Sequence, residues 1–217
     1  MALALVLLAF YAIKNIVITD SDVLVLPGWQ NSGPQHWQSR WEALYGYQRV
    51  EQHDWQRPLR GDWIARLEDV LLARAAPVWL VGHSLGCLLV AAWAAHSQQT
   101  ARVAGALLVA PGDPELPALR PALRSWAPVQ QVRLPFPALL VGSSNDPYCS
   151  LARAQQFGRD WGARFVSLGA RGHLNADSGL GDWPDGHHRL LQLQADASGV
   201  PFPTASLIYD KENTHGN

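Results

Sequence analysis

Charge is scarce in this chain: Asp, Glu, Lys and Arg make up 16% of its 217 residues, against about 25% in an ordinary soluble domain. What charge there is balances, with 17 Lys plus Arg against 18 Asp plus Glu and a net charge of -1. No field therefore draws in phosphate backbones or anionic lipid, and nucleic acid is excluded as an expected partner. Cysteine is scarcer still. Cys87 and Cys149 are the only two, in no C-x-x-C or metal-ligand spacing, which excludes a disulfide scaffold and points to a reducing, cytoplasmic setting. The chain also lacks an uninterrupted apolar run of about 20 residues, the length a membrane-spanning helix needs. Its longest, residues 1–13 (MALALVLLAFYAI), stops at Lys14 and has no basic region before it. We read residues 1–20 as an apolar N-terminal extension, the one segment that leaves a membrane contact open.

Several chemistries lack their usual signals. There is no G-x-G-x-x-G, no G-x-x-x-x-G-K-[ST] and no H-E-x-x-H, so dinucleotide, nucleoside triphosphate and zincin readings lose their signatures. His173, Asp177 and Asp182 have no metal-ligand spacing, and no cofactor or metal is expected.

Apolar material is abundant. AVILMFWYC residues make up 48%, enough to exclude disorder for most of the chain, and the length suits one medium domain. Ten residues are Trp, six of them within residues 29–79. Most of these rings should be core, although Trp29, Trp37 and Trp55 sit where they could line a cleft.

Short apolar runs alternate with helical patterns, as in βαβ units with a parallel sheet. Strands are expected at residues 23–27, 48–53, 78–81, 103–110, 138–142 and 164–168. Helices are expected at 34–45, 62–74, 84–96, 151–161 and 186–194. The fold class is therefore α/β, a three-layer α/β/α sandwich with a roughly six-stranded, mainly parallel sheet over residues 21–195. Residues 111–137, rich in proline, form a long connection with a helical turn near 121–126. Residues 196–217 read as a loose tail.

The chemistry enters at Gly82-His83-Ser84-Leu85-Gly86, a G-x-S-x-G string directly after an apolar strand and opening a small-residue helix. That strand, sharp turn and helix hold a serine in an exposed elbow. A serine hydroxyl needs a base, and the base needs a carboxylate to orient it. In this arrangement the acid and then the histidine follow the serine on later loops. Asp146 lies just after the fifth strand and His173 just after the sixth. Asp113, after the fourth strand, is the competing acid. His83 reads as a wall of the site, His36 as a solvent-facing helical residue that could instead line the cleft, and His187 and His188 as surface residues. For the oxyanion hole, the N–H of Leu85 follows the nucleophile, and the N–H of Trp29 follows the first strand, where Gly28 allows close approach. Gly28, His83 and Trp37 are the expected substrate-binding residues.

These residues carry a family likeness. The stretches VLVLPGWQNSGPQHWQSRWE, VEQHDW, VWLVGHSLGCLLVAAWAA, GALLVAPGDPE, SSNDPYCSLARA and GHLNADSGLGDWP resemble the small serine-hydrolase branch of the α/β-hydrolase superfamily. That branch includes retinoblastoma-binding protein 9 and short bacterial serine hydrolases. The resemblance implies a minimal α/β-hydrolase fold with little or no lid, a triad of Ser84, Asp146 and His173, and hydrolysis of a small-molecule ester or amide without a cofactor. It also favours Asp146 over Asp113. The rival expectation is a hydrolase-fold protein acting as a binding module.

Overall fold

The structure, a computed structural model, describes residues 23–199. The apolar extension and nearly all of the tail lie outside the described residues. Six strands, β1 (Val23–Leu26), β2 (Gln48–Arg49), β3 (Val78–His83), β4 (Val103–Val109), β5 (Ala138–Gly142) and β6 (Arg164–Ser167), form one sheet in the order β2-β1-β3-β4-β5-β6. Every neighbouring pair is parallel. The helices are α1 (Trp37–Tyr45), α2 (Arg60–Leu72), α3 (Leu85–Ala94), α4 (Arg120–Leu123), α5 (Leu151–Trp161) and α6 (Pro184–Ser198).

Alternation along the strands divides the core in two. Leu24, Leu80, Leu108 and Leu140 face α2, α3 and α5 through Trp63, Leu67, Trp93 and Phe157. Val25, Val81, Val109 and Val141 face α1 and α6 through Trp37, Trp41 and Leu190. A sheet covered on both faces needs apolar side chains on both, which is why β3 and β4 read as near-continuous apolar runs. Seven of the ten Trp are buried, so these rings are mainly core.

Several boundaries shift by a few residues, α6 among them, which runs to Ser198 and so takes in the first residues read as tail; two further shifts have a visible cause. β2 pairs only at Gln48 and Arg49, because its partner β1 ends at Leu26 and the next residue, Pro27, has no N–H to extend the ladder. α1 begins at Trp37 rather than Pro34: His36 is extended (φ -76°, ψ 139°), and its Nδ1 accepts the N–H of Gln38 at 3.1 Å. The sheet winds outward in both directions from β1 and β3. That reversal opens a crevice at the carboxyl ends of the strands, where α/β sheets place their ligands.

Candidate active site

Ser84 sits in that crevice. It follows the last residue of β3, precedes α3, and has φ 54° and ψ -117°, a conformation few non-glycine residues adopt. Its N–H donates to the carbonyl of Val109 at 3.0 Å, tying the elbow to the end of β4. Close packing fixes the turn from two sides. A Cβ on Gly86 would lie 2.0 Å from the carbonyl oxygen of Leu26, and one on Gly28 would lie 2.8 Å from the Cβ of Ser84. The loop after β1 can therefore reach the serine only with glycine at position 28.

His173 comes to the same place from the loop after β6. Its Nδ1 lies 2.8 Å and 3.0 Å from the two carboxylate oxygens of Asp146, on the loop after β5. With Nδ1–H donating to a carboxylate, the lone pair of the imidazole is left on Nε2. Asp146 is itself oriented, since it accepts the Tyr148 N–H at 2.8 Å. Asp113 is occupied elsewhere: its carboxylate pairs with Arg153 Nε at 3.3 Å and accepts the N–H of Glu115 at 3.1 Å.

A cavity of about 310 Å³ contains Ser84 and His173. Leu85, Trp29 and Gly28 line it on one side, and Leu119 and Leu123, from the long β4–β5 connection, on another. Residues 111–137 thus form a partial cover, with one short helix and a 3₁₀ turn at Arg124–Trp126. Of the three Trp expected along the cleft, Trp29 alone lines this cavity. Trp37 does not: it is 1% exposed, packs against Trp41 and Trp183, and donates its Nε1–H to the carbonyl of Leu174 at 2.8 Å. Trp55 packs edge-on against Trp63. Across the wall formed by Tyr148, His173 and Asn175 lies a second, more polar hollow of about 410 Å³.

His36 lines the cavity, the less expected of its two readings. As the cap of α1 it turns into the site, 5% exposed, its ring centroid 4.6 Å from that of His83, which in turn lies 4.8 Å from His173. His187 is likewise no simple surface residue: it stacks on Tyr45 at 3.8 Å and meets the Tyr47 hydroxyl at 2.7 Å. Burial, reinforced by the neighbouring His173, pushes His36 down to about 3, and burial holds His83 well below the ordinary histidine range. Both rings are neutral in the folded protein, whereas in the unfolded chain they take up protons near pH 6.5. The unfolded state then binds more protons, so stability present above about pH 6.5 is lost as the pH falls toward 3. Thermal unfolding followed from about pH 7 to pH 4 should show a falling Tm. The fall should be smaller in His36→Asn, which keeps a capping oxygen but removes the titrating ring. An identical pH dependence in the two proteins would contradict this assignment.

Both cysteines are buried and free. Burial, with the carboxylates of Asp113 and Asp146 nearby, pushes the Cys149 thiol up to about 12, and burial pushes Cys87 higher still. Neither is poised as a nucleophile near neutral pH. Among the described residues no group of three or more His, Cys, Asp or Glu could hold a metal ion, and no helix is long and apolar enough to cross a membrane.

Known proteins share this fold. The sequence profile of the serine hydrolase family matches residues 23–192. A YdeN-like hydrolase from Pectobacterium atrosepticum superposes with a TM-score of 0.74 and 31% identity, over 87% of this chain and 97% of that one. The ydeN gene product of Bacillus subtilis superposes with a TM-score of 0.65 at 19% identity, over 81% and 99%. The carboxylesterase CesB of Bacillus subtilis superposes with a TM-score of 0.59 at 14% identity, over 82% and 85%. No curated protein sequence matches the chain. With the profile covering most of its length, the chain belongs to the serine hydrolase family, within the α/β-hydrolase superfamily.

Proposed function

We propose that the protein hydrolyses short esters or amides through a triad of Ser84, His173 and Asp146. The observation that carries the reading is the Nδ1 contact of His173 with both oxygens of Asp146, at the rim of the cavity that holds the strained Ser84. Ser84 Oγ attacks the substrate carbonyl carbon and gives its proton to His173 Nε2. The oxyanion is met by the N–H of Leu85, in the first turn of α3 where no intrahelical acceptor exists, and by the N–H of Trp29. His173 then passes the proton to the leaving alcohol or amine as the carbonyl–heteroatom bond breaks. Water, deprotonated by the same nitrogen, attacks the acyl-enzyme and releases the acid and Ser84.

The preference for short acyl groups follows from the volume. About 310 Å³ is at the lower end of ligand sites, and Trp29, Leu119 and Leu123 form its apolar part. Gly28 and His83 lie beside the nucleophile as walls. In a series of p-nitrophenyl esters, acetate and butyrate should therefore be turned over faster than octanoate. His173→Ala should lower kcat on acetate by about 10³-fold or more, as loss of the general base does elsewhere. Wild-type rates in His173→Ala would sink the proposal.

A further inference from the structure

The catalytic assignment of His173 leaves open what aims it, since it stands in a loop and not in a regular element. The residue before it, Gly172, has φ 59° and the residue after it, Leu174, has φ 50°. A leucine in the left-handed region is kept there only when its surroundings determine it. Those surroundings are specific. Four consecutive residues each have one main-chain group bound by a side chain from elsewhere in the fold. The N–H of Arg171 donates to Ser143 Oγ at 2.9 Å, and that of Gly172 to Asn145 Oδ1 at 2.7 Å. The carbonyl of His173 accepts from His83 Nε2 at 2.9 Å, and that of Leu174 from Trp37 Nε1 at 2.8 Å.

We propose that His83 is the positioning residue of the catalytic histidine, the central grip of this four-point clamp. A carbonyl can only accept, so the contact fixes His83 as the Nε2–H tautomer. His83 ends β3, the strand that carries Ser84, so one residue ties the His173 main chain directly to the nucleophile's own strand. Ser143 and Asn145, joined to each other at 3.0 Å, likewise tie the loop to the segment carrying Asp146. The residue that the sequence offers as a wall of the site thus sets the distance between base and nucleophile. The proposal rests on the role of His173 given above.

The test uses His83→Phe, which keeps a flat ring but removes the donor, and His83→Gln, whose amide can restore an N–H at the same reach. A displacement of about 1 Å at a reacting centre can cost 10²-fold. His83→Phe should therefore lower kcat about 10- to 100-fold with KM within about twofold, while His83→Gln recovers most of the loss. Hydrogen exchange should rise in His83→Phe over residues 170–175 and stay unchanged in α3. Wild-type kcat in His83→Phe, an equal loss in both variants, or unaltered exchange over 170–175 would each overturn the proposal. Should the wild-type protein turn over no ester and leave Ser84 unreactive, the hydrolase reading falls, and the exchange measurement alone decides the clamp.

Discussion

Ser84→Ala is expected to lower kcat by about 10⁴-fold or more while leaving the fold and Tm close to wild type, because triad members act as a unit. The side chain lost is one hydroxyl in an open cavity, so nothing in the core is disturbed. The acid can be tested the same way. Asp146→Asn keeps the size of the side chain but presents a group that favours the wrong tautomer of His173, an effect of about 10⁴-fold in the well-studied serine proteases. Asp113→Asn should leave the chemistry within a few-fold, since Asp113 serves Arg153 and Glu115 rather than His173. Equal losses in the two aspartate variants, measured as kcat on one short ester, would contradict the assignment of the acid.

The largest effect on stability is expected at Gly86. Its missing Cβ would stand 2.0 Å from the carbonyl oxygen and 2.8 Å from the carbonyl carbon of Leu26, both in the backbone of β1. Neither atom can turn aside as a side chain can, so Gly86→Ala must push α3 off the sheet or bend a central strand. Overpacking of this kind costs about 3 kcal/mol or more when backbone has to move. In a domain of this size that corresponds to roughly 6–12 °C in Tm, or to loss of soluble protein. Gly61→Ala is the control with the opposite sign. It lies in the first turn of α2 with nothing within 4 Å of the added carbon, and alanine is the better helix former, by up to about 1 kcal/mol in a helix interior. A Gly86→Ala protein as stable as Gly61→Ala would mean that the elbow is not packed as described.

The parts of this protein legible in its sequence are those fixed by periodicity and by order along the chain. Apolar runs located all six strands, and the positions of Ser84, Asp146 and His173 after β3, β5 and β6 followed from the run order alone. The misses share a physical cause: each depends on a partner distant in sequence. Trp37 reads as a residue near a βα loop, yet its indole is taken by Leu174, 137 residues away, and by the Trp41–Trp183 cluster. His36 stays between a cleft and a surface reading because histidine is not among the usual N-capping side chains, so nothing marks it as the cap of α1. Moving the start of α1 by three residues turns that ring from solvent into the site. Asp113 and Asp146 both stand on loops after strands; the family likeness favours Asp146, and in space Asp113 meets Arg153 while Asp146 meets His173. The shortness of β2 is readable in principle, since Pro27, just past the end of the neighbouring strand β1, has no N–H to offer it.

The proposed hydrolysis requires Ser84 to be an activated nucleophile. The most direct test is reaction of the purified protein with a fluorophosphonate, beside Ser84→Ala and His173→Ala, with the modified peptide identified by mass spectrometry. One covalent adduct is expected, on Ser84, absent from Ser84→Ala and strongly slowed in His173→Ala. A folded wild-type protein that takes up no reagent, or takes it up elsewhere, would contradict the hydrolase mechanism and favour a binding module built on a hydrolase fold.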